Sequence, residues 1–276
     1  MSFEEYIPSP QLRPFVNCFW HYQSAGLKEV AERIIPDGCV EVIFHLKAPV
    51  KRYTTRKVAI NPRMNIVGQM TAPYFVSPTG LLEMLGIRFY PHTAHHFFDI
   101  PLDEIKDEVL ETSAIWGNTV EQLQDALHLA PNISEAINSL ESFLVKKITI
   151  DRTDRLLAFV WNEIISKRGN LSVKELCEKT GYSRRSLEMK FQKRIGLSPK
   201  VLCRIIRFQQ IFRYWSKEDS SLTALAYQVG YADQSHFIRD FKQFTGISPG
   251  KYRQEKHAIS DCFTNHQSIS HLFNYD

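Results

Sequence analysis

Val229-Gly-Tyr-Ala-Asp-Gln-Ser-His-Phe-Ile-Arg-Asp-Phe-Lys-Gln-Phe-Thr-Gly-Ile-Ser-Pro249 decides the fold, because the chain writes the same pattern once before. The earlier copy runs Gly181-Tyr-Ser-Arg-Arg-Ser-Leu-Glu-Met-Lys-Phe191, then Gly196-Leu-Ser-Pro199. An apolar-periodic segment precedes each, Leu171-Ser-Val-Lys-Glu-Leu-Cys177 and Ser221-Leu-Thr-Ala-Leu-Ala-Tyr227. An internal repeat constrains architecture before any single residue does. Each unit reads as helix, glycine-containing turn, helix, so the pattern predicts two helix-turn-helix units, about 171–195 and 221–245.

The register sharpens the boundaries. Gly181 and Gly230 are 49 apart, whereas Phe191 and Phe241, Gly196 and Gly246, and Pro199 and Pro249 are each 50 apart. One residue, placed at Ala232, has been added in the second copy, which makes Ser183 and Asp233 equivalent. Both are good N-caps, since their side-chain oxygens accept from orphan first-turn amides. The second helices then start at Arg184 and Gln234 and end at Gly196 and Gly246, suited to a left-handed C′ position. Ser198-Pro199 and Ser248-Pro249 read as N-cap plus proline at N1 of a following helix.

Spacing separates buried from free faces. Val173, Leu176, Cys177, Leu187 and Phe191 form the apolar stripes of the first unit; Leu222, Leu225, Ala226, Phe237, Phe241 and Phe244 repeat them. The opposite face of the first recognition helix presents Arg184, Arg185, Glu188, Met189, Gln192 and Lys193; that of the second presents Gln234, Ser235, Ile238, Arg239 and Lys242. Arginine can read guanine and glutamine can read adenine through paired hydrogen bonds. A charged helix face alone is an ordinary solvated surface; on the second helix of a duplicated unit it points to double-stranded DNA. The charge distribution agrees. The chain carries 34 basic and 30 acidic residues, but residues 151–256 hold 21 against 11, a net +10, and the remainder is −6. Such a basic part is the footprint of a nucleic-acid partner.

Residues 151–256 resemble the DNA-binding domain of the AraC/XylS family of bacterial transcription regulators. Leu176, Gly181-Tyr-Ser183, Phe191, Gly196-Leu-Ser-Pro199, the run Val229–Pro249 and Lys251-Tyr-Arg253 carry the likeness. The resemblance implies seven helices, a connecting helix at about Pro199 to Tyr214 whose Ile205, Ile206, Ile211 and Phe212 bridge both cores, and a first helix at about Thr153 to Lys167 holding Leu156, Phe159, Val160 and Ile164. It implies two recognition helices in successive major grooves, ~34 Å apart. Arg185 and Met189, and Gln234, Ser235 and Arg239, match the family's base-facing positions. Met189 departs from the usual polar residue and favours apolar contact, such as a thymine methyl. The resemblance further implies an effector-responsive activator that contacts RNA polymerase, with a small-molecule effector; residues 119–147 could pair two chains as a homodimer or pack on their own barrel, and no cofactor or metal is expected.

The expected fold class is therefore α+β and multidomain. Residues 1–118 read as a β-rich sensor domain, a small cupin-like barrel or sandwich; 119–150 as a helical linker able to dimerise; 151–256 as the DNA-binding domain; 257–276 as a tail. Phe15–Tyr22, Ile66–Met70 and Leu85–Tyr90 read as strands, and Arg33–Leu46 as a hairpin turning at Pro36-Asp37-Gly38. Val120–Leu127 and Ile133–Val145 have helical period, with Asn118-Thr119 and Asn132 as caps. Trp20, Asp37, Glu41, Phe44 and Phe89 are candidate effector contacts, set against the reading of strand aromatics as core. His92, His95 and His96 have a spacing that could converge on a metal, but partial surface histidines explain it better. An enzyme reading, a catalytic cupin-like domain with an appended DNA module, lacks a convergent acid–base or metal set. Five cysteines without paired spacing suit a reduced cytoplasmic chain, and neither a leader nor a membrane span is expected.

Overall fold

The computed structural model describes residues 2–24, 31–53, 58–149, 155–215 and 221–255. Its N-terminal strands are β1 Ser2–Tyr6, β2 Val16–Ser24, β3 Glu32–Ile34, β4 Val40–His45, β5 Val50–Tyr53, β6 Val58–Ile60, β7 Met64–Val67, β8 Tyr74–Pro78, β9 Leu82–Phe89 and β10 Val109–Glu111. They form an antiparallel sheet ordered β1-β2-β9-β4-β7-β10 and a second ordered β3-β8-β5-β6, an open sandwich rather than a closed barrel.

Alternation along β4 gives the larger sheet two different faces. Val40, Val42 and Phe44 join Phe19, Leu85, Ile87 and Phe89 in one core. Glu41, Ile43 and His45 point the other way, toward the space between the sheets. Opposite them across the ladder stand Arg88, Gly86 and Met84. Gly86 is required here: a Cβ would lie 2.0 Å from the Trp20 indole, which crosses the strand at that point.

The expected hairpin over Arg33–Leu46 does not form. β3 pairs with β8 in the small sheet, and β4 pairs with β7 and β9 in the large one. The turn chemistry is nevertheless present: Asp37 Oδ1 accepts from Cys39 N at 2.9 Å, and Gly38 has φ of 87°. The turn becomes a crossover between sheets because outside donors hold its carbonyls. Gln209 Nε2 donates to Pro36 O and Gln69 Nε2 to Gly38 O, each at 2.6 Å.

Three helices follow, α1 Ser113–Trp116, α2 Thr119–Leu129 and α3 Ile133–Lys147. Val120, Leu123 and Leu127 of α2 and Ala136, Ile137, Leu140 and Leu144 of α3 enter the core behind the large sheet. Their apolar faces are thus used within the chain. Asn132 caps α3 by accepting from Glu135 N at 3.0 Å. Asn118, expected to cap α2, sits in helical conformation and makes no such bond.

The C-terminal helices are α4 Arg155–Ser166, α5 Val173–Thr180, α6 Arg184–Ile195, α7 Pro199–Tyr214, α8 Leu222–Gln228, α9 Gln234–Thr245 and α10 Pro249–Gln254. Ser183 and Asp233 cap α6 and α9, accepting from Ser186 N and His236 N. Gly196 and Gly246 end them with φ of 86° and 77°. Ser198 and Ser248 cap α7 and α10 with proline next in line. One core, including Ile205, Ile206, Phe208 and Ile211 of α7, serves both units. In α4 the buried stripe is Leu157, Val160, Trp161 and Ile164, a helical i, i+3, i+4, i+7 set. Phe159, expected inside, falls off that stripe and is exposed. Thr153 and the tail 257–276 lie outside the described residues. Among the described residues no helix is long and apolar enough to cross a membrane.

Candidate nucleic-acid interface and the cavity behind it

α6 and α9 each bury one stripe: Leu187, Phe191 and Ile195 in α6, and Phe237, Phe241 and Phe244 in α9. On the other side Arg184, Arg185, Met189, Gln192 and Lys193 of α6, and Ser235, Arg239 and Lys242 of α9, are exposed. Four expected contacts, Arg184, Glu188, Gln234 and Ile238, are partly engaged inside the chain. Glu188 accepts from Arg184 Nε at 2.9 Å, Gln234 Oε1 accepts from Thr223 Oγ1 at 3.0 Å, and Ile238 leans on the helical core. The exposed set is cationic with Met189 as an apolar island, a composition suited to phosphates and base edges.

Opposite those faces, the helices are fastened from behind. Arg204 of α7 donates to Asp240 of α9 from Nε at 3.2 Å and Nη2 at 2.7 Å. The β-sandwich grips the C-terminal ends of both recognition helices. Arg33 of β3 donates to Thr245 O at the end of α9, and to Glu255 Oε2 at 3.0 Å. The 3-10 turn Leu102–Ile105 meets the end of α6 so closely that a Cβ on Gly196 would lie 2.8 Å from Leu102 O. Ile35 and Cys39 of the sheet crossover belong to the helical core itself.

Between the sheets lies a cavity lined by Trp20, Asp37, Glu41, Ile43, His45 and Arg88 among others, with Gln209 of α7 closing one side. About 80 Å³ of it admits the centre of a water-sized sphere. Arg88 is buried, with Nε 2.8 Å from Glu41 Oε1 and Nη2 3.3 Å from Asp37 Oδ2. Trp20 Nε1 donates to the same Glu41 oxygen at 3.2 Å. Burial pushes the Glu41 carboxyl above the usual carboxylate range, against the pull of Arg88. Burial opposes the Arg88 charge, but Glu41 and Asp37 outweigh it and hold the guanidinium protonated. His45 is pushed down to about 4 by burial and by Arg63.

The cavity therefore brings together three of the five residues singled out by sequence, Trp20, Asp37 and Glu41. Phe44 and Phe89 lie on the opposite face of the sheet, where the Phe89 ring is tilted against Phe97 with centroids 4.8 Å apart. Sequence reading passed over Arg88, His45, Asn61 and Gln209. Arg88 and Gln209 carried a signal, each a polar residue inside an apolar run. His45 carried one too, two positions beyond Ile43 on the face of Glu41. The three histidines, expected as partial surface residues, are packing groups instead: His92 stacks on Trp161 with centroids 5.3 Å apart, His95 and His96 are buried, and His96 Nδ1 lies 2.7 Å from Thr149 O. Burial, then His95 and His96, push His92 down to about 3.

Residues 176–255 match a family model described as a helix-turn-helix domain, and residues 4–111 match a domain of unknown function, DUF6597. The C-terminal part of the chain is thus a tandem helix-turn-helix domain. Residues 176–255, with their repeat and connecting helix, form a helix-turn-helix domain of the AraC type. An uncharacterized HTH-type transcriptional regulator of Staphylococcus aureus strain MSSA476 is 31% identical over 104 residues, 38% of this chain and 14% of that protein. The HTH-type transcriptional regulator MtrA of Neisseria gonorrhoeae is 29% identical over 103 residues, 37% of this chain and 34% of that protein. The match thus spans only about a seventh to a third of these relatives' lengths. Among solved structures, ToxT of Vibrio cholerae aligns over 92% of this chain and 98% of its own, at 12% identity and a TM-score of 0.49.

Proposed function

We propose that the chain is a sequence-specific, effector-responsive transcription regulator of the bacterial cytoplasm. The observation that carries this reading is the pair of capped recognition helices, each with its apolar stripe buried and a cationic face left open. In this reading Arg185, Met189, Gln192, Ser235 and Arg239 meet base edges, while Arg184, Lys193 and Lys242 meet phosphates. The sandwich binds a small effector without transforming it. Occupancy acts on the reading heads through the Pro36–Cys39 crossover, whose carbonyl Gln209 holds, and through α7. Contact with RNA polymerase, giving activation, and pairing of two chains complete the family's pattern.

Genomic footprinting followed by bandshift titration of the bound sites tests the proposal. We expect binding at least 10³-fold tighter than to random duplex, with affinity falling steeply with salt as phosphate contacts release counterions. Equal affinity for bound sites and random duplex would refute sequence-specific regulation.

A further inference from the structure

The lining of the inter-sheet cavity specifies which kind of head group it accepts; this inference rests on the cavity being the effector site. One face of β4 sets Glu41, Ile43 and His45 in a row. Four steps of strand separate the ends, roughly 13 Å between their Cα atoms. The row is polar, apolar, polar.

At the Glu41 end two carboxylates share one guanidinium. Arg88 engages both, Glu41 at 2.8 Å and Asp37 at 3.3 Å. A ligand carboxylate there would be a third anion facing a cation already committed to two. A protonated amine meets the opposite situation: it favours the ionised form of Glu41 and pairs with it, and charge complementarity of this kind selects partners.

At the other end the chemistry is neutral. His45 is 2% exposed and Asn61 6%. Neither ring nitrogen of His45 has a hydrogen-bond partner among the described residues, nor does Asn61 Oδ1. Buried polar groups are nearly always satisfied, so two unpartnered ones lining a cavity mark where a bound molecule supplies hydrogen bonds. Arg63 stands close enough to disfavour positive charge on His45, so the cationic group belongs at the Glu41 end. Ile34, Ile43, Val50, Val67 and Met84 form apolar wall between the two ends.

We infer that the cavity takes a small primary amine, its ammonium set against Glu41 and Asp37 and its apolar body lying over Ile43 toward His45 and Asn61. The volume, about 80 Å³ for sphere centres, suits a body of roughly six non-hydrogen atoms, since one water needs about 10–15 Å³ on this measure.

Hexylamine, 1-hexanol and hexanoate share one body and differ only in the head. Isothermal titration and thermal shift of the full chain with each, at matched concentration and pH 8, provide the test. Hexylamine is expected to bind about ten-fold tighter than hexanol, the scale of one close charge pair, and hexanoate to give no shift. Glu41→Gln is expected to bring hexylamine down to the level of hexanol. Ile43→Phe, which fills the cavity, is expected to abolish binding of all three. Hexanoate binding as tightly as hexylamine overturns the inference, as does binding of none of the three. So does a hexylamine signal that survives Ile43→Phe, which would place the amine elsewhere. The effector reading is judged separately, by whether Ile43→Phe alters affinity for the footprinted DNA site.

Discussion

Arg204→Met tests how the second recognition helix is held. The Asp240 side chain is 1% exposed and takes two hydrogen bonds from the Arg204 guanidinium. Removing one partner of a buried ion pair costs about 3–5 kcal/mol, because the remaining charge stays desolvated and uncompensated. Two features set this case at the lower end. The Arg204 side chain is 21% exposed, so water already weakens the pair. His236 Nε2 stands 3.8 Å from the same carboxylate oxygen and can replace part of the charge when protonated. Methionine keeps much of the aliphatic stem, so lost packing adds little beyond the contact of the guanidinium with the Phe244 ring at 5.3 Å. The expected loss is about 3 kcal/mol, read by urea unfolding of the full chain with helical circular dichroism. Asp240→Asn in the Arg204→Met background removes the stranded charge and should recover at least half of that loss. A single-variant loss below about 1 kcal/mol, the level of a surface pair, would refute the argument. So would a double variant no more stable than the single one.

Four further outcomes follow from the same geometry. Gly181 and Gly230 both have positive φ, but a Cβ at Gly181 meets nothing while one at Gly230 lies 2.3 Å from Asn170 Oδ1. Alanine should therefore cost about 1–2 kcal/mol at Gly181 and visibly more at Gly230, where the Asn170–Val229 hydrogen bond breaks as well; equal melting temperatures for the two variants would contradict this. Arg185→Ala should weaken specific binding by about 1–3 kcal/mol and relax preference at one base pair, whereas uniform weakening across bandshift probes would assign it to phosphate. Gln209→Leu strands the Pro36 carbonyl and should lower stability by about 1–3 kcal/mol, with loss of any ligand effect on DNA affinity; a variant that still responds fully rules out this route. His45 titrates near 4 when folded and near 6.5 when unfolded, so the unfolded chain takes up the proton first as pH falls. Stability from this group is complete above about 6.5 and drops by about 2 kcal/mol at pH 5; His45→Leu should lose correspondingly less between pH 7 and pH 5, and parallel melting curves would sink the assignment.

The C-terminal half was legible because its boundaries are written in local chemistry. Ser183, Asp233, Gly196, Gly246, Pro199 and Pro249 each act on the backbone within a few positions, and α7 begins and ends where the sequence places it. The stripe of α4 was misjudged at Phe159 because neighbouring apolar residues Leu156, Leu157, Phe159 and Val160 allow more than one helical face. The sandwich was harder to read for a different reason. Arg33–Leu46 has the composition of a hairpin, yet its partners are set by Gln69 and by Gln209, the latter 173 positions away. Local sequence cannot announce such donors. Glu41 was visible as an odd residue on a strand, but its meaning depended on Arg88, which reaches it only across the β4–β9 ladder.

The grip of the sandwich on the far ends of α6 and α9 adds an outer brace to two hands that already share one core. On B-form DNA one base pair adds about 3.4 Å of rise and about 34° of rotation. A frame that fixes the separation of the hands also fixes the helical phase they tolerate. Adjusting Arg33 against Thr245, or Leu102 against Gly196, would then retune the permitted spacer between half-sites while leaving every base contact as it was.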